Sequence, residues 1–124
     1  MKVRITIDEN MVIKKAKADT LHAPYSICGK GATPVSDIKG LKIAPGWRRS
    51  VKRILGRTKG CTHIRDLIMG PLAHTAYQTV IPMRMQNKID KGSKEKPAVI
   101  GTCIAWDETG PVVKRCWPQH YKHS

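Results

Sequence analysis

The sequence contains no Phe, and its three Trp and three Tyr bring aromatics to only 5% of 124 residues. A core built from this chain must therefore rest on Ile, Val, Leu, Met and Ala. Acidic residues are scarce too: 9 Asp and Glu stand against 23 Lys and Arg, for a formal net charge of +14. None occurs between Asp37 and Asp66, a stretch that holds Lys39, Lys42, Arg48, Arg49, Lys52, Arg53, Arg57, Lys59 and Arg65. No apolar run approaches the roughly 18–20 residues of a membrane span. The first twenty residues alternate charge with Val and Ile, and hold neither the apolar h-region nor the cleavage site of a secretory signal. The expectation is a cytoplasmic protein with no membrane partner, whose four Cys are thiols rather than a disulfide framework. Also missing are a C-x-x-C pair, a Gly-rich phosphate loop, a dinucleotide fingerprint and the paired carboxylates of a hydrolase.

What is present suits a globular chain. Hydrophobic residues make up 40% and charged residues 26%, and the length fits one domain over 1–124. Val3, Ile5 and Ile7 alternate with Lys2, Arg4 and Thr6, which predicts a half-buried strand over 2–8. A second strand follows over 11–18 with ragged alternation, and Asp8, Glu9 and Asn10 form the turn of an antiparallel hairpin. An isolated hairpin is marginal, so further strands are expected over 98–106 and 111–117, joined by the turn Asp107-Glu108-Thr109-Gly110. On such a hairpin Cys103 and Cys116 share one face with apolar neighbours, and core packing is the favoured reading for both.

The middle is helical. Thr33-Pro34 resembles an N-cap followed by Pro at the first helical position, with Gly40 as the stop. Pro45-Gly46 opens a second helix in which Trp47, Val51, Ile54 and Leu55 recur at helical spacing, and Gly56 ends it. A third begins at Thr62 and carries Ile64, Leu67, Ile68 and Leu72, with a kink expected at Gly70-Pro71. The polar stretch 84–97, rich in Lys, reads as a mobile basic loop. The fold class is thus α+β: an antiparallel sheet of about four strands with two or three helices packed on one face.

Two thiols stand out by position. Cys28 lies in Ser26-Ile27-Cys28-Gly29-Lys30-Gly31 and Cys61 in Lys59-Gly60-Cys61-Thr62-His63, each read as just before a helix. Helix N-termini and nearby Lys favour thiolate, and soft thiolates with an imidazole are the ingredients of a zinc or iron–sulfur site. Buried filler is the competing reading of the same cysteines. Cys28 or Cys61 with His63 or His22 as base could also serve a thiol enzyme, and Asp66, three residues after His63, is the one carboxylate placed to orient an imidazole. The segment 47–59 offers another surface. Its Arg48, Arg49, Lys52, Arg53 and Arg57 suit RNA or another polyanion, although a merely solvated helix face would carry the same residues. No recognised RNA-binding motif accompanies them, so base-specific readout is not expected.

The run Ala23-Pro24-Tyr25-Ser26-Ile27-Cys28, then Leu41 to Gly46-Trp47, then Gly60-Cys61-Thr62-His63-Ile64-Arg65-Asp66-Leu67 and Ala76-Tyr77-Gln78, resembles a bacterial family known only as domain of unknown function 2889. The tail Trp117-Pro118-Gln119-His120-Tyr121 is similar to that family's ending. The resemblance implies a shared fold and no activity; members carry further sequence before the equivalent of Val3. In element order, Cys28-Gly29 and Cys61 with His63 also look like the ligand positions of iron–sulfur cluster assembly scaffolds. That family's first Cys has no counterpart here, and its His directly precedes its Cys. The favoured expectation is a small non-catalytic accessory protein holding zinc or an iron–sulfur cluster. Cys28, Cys61 and His63 are its ligands, with Asp37 or Cys103 completing the set, and a donor or acceptor protein for the metal centre is its partner. The alternative is the basic RNA- or polyanion-binding module, and the third reading is the thiol enzyme.

Overall fold

A computed structural model describes residues 1–88 and 94–123, with side chains omitted for 85–88. The chain divides into two compact units, Met1–Val80 and Ile81–Ser124, described in turn.

The first unit opens with the hairpin of β1 (Lys2–Ile7) and β2 (Ile13–Asp19), paired antiparallel. Val3, Ile5 and Ile7 lean onto the core while their neighbours face water. The ragged alternation of β2 has a cause: the register shifts between Thr6 and Ile7, from Thr6 opposite Lys15 to Ile7 opposite Ile13. This β-bulge lets Ile13 and Ala16, three residues apart, both be buried. Asp8 holds the turn by accepting the amides of Asn10 and Val12 at 2.9 and 3.0 Å and pairing with Lys14 at 3.0 Å. These donors hold its carboxyl below the ordinary range, the Val12 amide contributing most.

No third full strand joins the hairpin among the described residues. The segment after Gly40 makes only a bridge, Val12 with Lys42, fixed by Ile13 N–H to Leu41 O at 2.9 Å and Ile43 N–H to Met11 O at 2.9 Å. Cover comes from helices. A 3-10 helix spans Ser26–Ile38, starting well before the Thr33-Pro34 cap that the sequence suggests, and buries Val35 and Ile38. Helix α1 (Trp47–Leu55) buries Trp47, Val51 and Leu55, as its spacing predicts. Helix α2 (Thr62–Leu67) buries Ile64, with Cys61 rather than Thr62 as its N-cap. The kink expected at Gly70-Pro71 is a π turn over Ile68–Leu72, running into α3 (Ala73–Lys88). Pro71 has no N–H to give, and its ring would strike the carbonyl four residues back, so the wider turn accommodates both problems.

The second unit corrects the two further strands. Residues 98–106 form turns and a short 3-10 segment, Ile104–Trp106, and 111–117 holds helix α4 (Pro111–Cys116) instead of a strand. The four-strand sheet is therefore replaced by a two-stranded one. Pro111 sits at the first turn of α4 after Gly110, and Val113 meets Trp117 one turn on, so the pair of valines serves a helix. Val113, Trp117 and Ile100 form the small core of this unit, with Cys116 packed against it. Cys103 is exposed, contrary to its expected core position. The loop expected over 84–97 begins in helix, since α3 reaches Lys88; residues 89–93 lie outside the described residues. No helix among the described residues is long and apolar enough to cross a membrane.

A thiol cleft and a basic helix face

Cys28 and Cys61 come to the same cleft. Both line one cleft of about 470 Å³, together with Lys30, Gly31, Lys59 and Gly60. The approach depends on Gly31: a β-carbon there would stand 2.8 Å from Cys61 Cβ and 2.9 Å from its amide nitrogen. That amide donates to Gly31 O at 3.4 Å. In a 3-10 helix residues three apart lie on one face, so Cys28 stands one turn from Gly31 on the side that faces Cys61. Cys28 belongs to the first turn of this helix, its N–H donating to Tyr25 O at 3.1 Å. His63 Nδ1 lies 3.8 Å from Cys61 Sγ, with His63 exposed on α2.

Of the other expected ligands, Asp37 lies elsewhere in this unit. Asp37 is exposed near the far end of the 3-10 helix, beside Ser36. Nine residues separate it from Cys28, about 18 Å at the roughly 2.0 Å rise of such a helix. Cys103 belongs to the second unit. Among the described residues no three His, Cys, Asp or Glu side chains gather closely enough to hold a metal ion. Asp66 does not orient His63 but pairs with Arg65 at 3.0 Å.

The basic residues of α1 form the second feature. Arg48, Arg49, Lys52 and Arg53 are exposed along its outer face, and Arg57 is exposed just beyond its end. None of these five joins an ion pair among the described residues. Arg53 reaches only Ser50 Oγ, at 3.3 Å, and Lys59 Nζ donates to Arg53 O at 3.1 Å near the helix C-terminus. Like charges on adjacent turns repel, so this face carries an uncompensated positive field.

Sequence reasoning missed a cleft of about 910 Å³ beside the first turn of α1. Its walls come from the segment Ile43–Arg49 and from Met69, Gly70, Ala73, His74 and Tyr77. Tyr77 Oη donates to Ile43 O at 3.0 Å across it. The signal available was the pairing of Pro45-Gly46 with a Trp at a helix start: Trp47 N–H donates to Ala44 O at 2.9 Å and Gly46 has φ +91°, a type II turn that sets the wall.

The family model described as a protein of unknown function (DUF2889) matches residues 1–78, close to the bounds of the first unit. The similar tail at 117–121 lies outside that match. No curated protein and no solved structure matches the chain.

Proposed function

The chain belongs to the DUF2889 family, whose description states no activity, and from its own surface we propose that it binds polyanions through α1. The observation that carries this reading is the outer face of that helix. Arg48, Arg49, Lys52 and Arg53 project to solvent with no carboxylate engaging them among the described residues, and Arg57 continues the patch. A nucleic-acid backbone offers the matching array of phosphates, and its condensed counterions are released as Lys and Arg replace them. The core side chains Trp47, Val51 and Leu55 anchor the opposite face, so the helix presents its charges from a fixed support.

The test is fluorescence anisotropy of the full chain with a labelled single-stranded RNA across a salt series. Affinity should fall linearly on a log–log plot, with a slope of roughly −0.7 per phosphate contact. No binding at low salt overturns the reading.

The thiol cleft favours a second reading, a site for a soft metal such as zinc or an iron–sulfur cluster, for hand-over to another protein. Its support is that Cys28 and Cys61, 33 positions apart in sequence numbering, line one cleft with Lys30 and Lys59 beside them. Cys28, Cys61 and His63 do not gather closely enough to hold an ion as they stand, so a closed tetrahedral zinc site would need these three drawn together and a further ligand besides. Metal and sulfide assay of reductively purified, untagged protein tests it, with Cys28→Ser and Cys61→Ser as controls; metal-free wild type that binds zinc or iron no better than those variants removes it.

A further inference from the structure

The first turn of α1 is built against its own dipole. The positive end of a helix favours acidic side chains, yet this turn contains none and places Arg48 and Arg49 there instead. Gly46 stands at the cap and has no side chain with which to satisfy the turn. Trp47 and Ser50 donate their amides to Ala44 and Gly46, whereas the amides of Arg48 and Arg49 find no acceptor among the described residues. An anion at this spot would offset the charge conflict and accept the open amides.

The adjoining cleft adds independent evidence. At about 910 Å³ it falls within the ordinary range of ligand pockets, ~300–1,000 Å³. Its walls combine apolar Ile43, Met69 and Ala73 with Trp47, Tyr77, His74 and the two arginines. Trp47 is 6% exposed, and its indole N–H is buried without a partner among the described residues. Tyr77, by contrast, is 37% exposed, leaving ring surface open. The open surface of the Tyr77 ring suits the face of a flat heterocycle, and Arg48 and Arg49 beside it suit its phosphate.

We propose that this cleft receives one unstacked base of a single-stranded nucleic acid whose phosphate sits at the first turn of α1. The proposal rests on the polyanion reading above and narrows it to single strands. A single strand is favoured over a free nucleotide because Lys52, Arg53 and Arg57 extend the positive surface beyond the cleft. Recognition is by stacking and is sequence-tolerant, as aromatic platforms generally are.

The experiment compares a short labelled oligothymidylate with an abasic strand of equal phosphate number, using anisotropy at low salt on the full chain. Wild type should prefer the base-bearing strand about tenfold, the scale of one stacked base. Tyr77→Ala should erase that preference while leaving abasic affinity within about twofold. Gly70→Leu should do the same by filling the cleft, since a β-carbon at Gly70 meets nothing within 4 Å; circular dichroism confirms that each variant is folded. Equal wild-type affinity for both strands overturns the base pocket and leaves the polyanion reading standing. So does a preference that survives both folded variants, or tighter binding to duplex than to single strand. Failure to bind either strand overturns the polyanion reading itself.

Discussion

Gly31 lies so close to Cys61 that a β-carbon on residue 31 would approach the backbone nitrogen of residue 61 to 2.9 Å. The obstacle is main chain, so shortening the Cys61 side chain would not remove it. The 3-10 helix and the start of α2 are joined at this contact.

Gly31→Ala should therefore lower stability by about 1–3 kcal/mol, the usual cost of overpacking. Gly29, two residues earlier, meets nothing within 4 Å. Gly29→Ala should be neutral or stabilising by about 0.4–1 kcal/mol through the unfolded chain. Urea denaturation of the two variants side by side checks both; equal losses would contradict the contact.

Gly46 carries φ +91° in open space, so its substitution cost is conformational. Gly46→Ala should destabilise by roughly 1–2 kcal/mol, the penalty of left-handed backbone for an L-residue, and Gly46→Asn by less. Thermal unfolding of both variants measures the difference.

Acid should weaken the second unit. Lys122 and Lys96 beside Glu108 hold its carboxyl down to about 2, from an ordinary 4.5. A carboxyl depressed on folding stabilises fully above its unfolded pKa and loses that contribution as the pH falls through its folded one. Melting temperature should accordingly decline as pH drops from about 4.5 toward about 2. Glu108→Gln should be less stable than wild type at neutral pH and show a shallower decline. Asp8, held down by the Val12 amide, Lys14 and the Asn10 amide, adds a decline of the same sign in the first unit.

Charge removal on α1 should alter salt dependence rather than fold. Each of Arg48→Ala, Lys52→Ala and Arg53→Ala should reduce the magnitude of the log affinity versus log salt slope on single-stranded RNA by about 0.7, one phosphate contact. Lys15→Ala, exposed on β2 and no part of this helix, should leave it unchanged. Indistinguishable slopes across all four would place nucleic-acid contacts elsewhere.

Cys28→Ser and Cys61→Ser should each depress zinc uptake if the two thiols act together, and the double variant should do no worse than either single one. Additive, independent losses in equilibrium dialysis would mean separate sites.

The hairpin, α1 and the break at Gly70-Pro71 were legible because periodicity and turn chemistry agree there. Val3, Ile5 and Ile7 alternate, Trp47, Val51 and Leu55 keep the helical interval, and Pro71 forbids a regular turn. The extent of the sheet was not legible. Val112-Val113 has strand propensity, yet Gly110-Pro111 starts a helix and the Val113–Trp117 interval sustains it, a case of capping and packing overriding β-branched preference. The second strand looked ragged because a bulge moves Ile13 into phase with Ala16, an event set by pairing and invisible in one strand alone. At the site, the shared cleft of Cys28 and Cys61 followed from no local pattern and needed the packing of Gly31 on Cys61. Asp37 and Cys103 had only their ligand chemistry to recommend them. The cleft beside Trp47 joins residues about 30 positions apart, which a scan for short motifs does not combine.

The π turn at Ile68–Leu72 gives the chain one residue more than a regular helix would use. Each residue of an α-helix advances the azimuth by about 100°. A descendant of this gene that lost a single codon there would wind tighter and swing His74 and Tyr77 by about that angle, away from Ile43 and Trp47. The length of this segment thus works as an alignment device, and tolerance to insertion or deletion should be lower here than its half-exposed Gly and exposed Pro suggest.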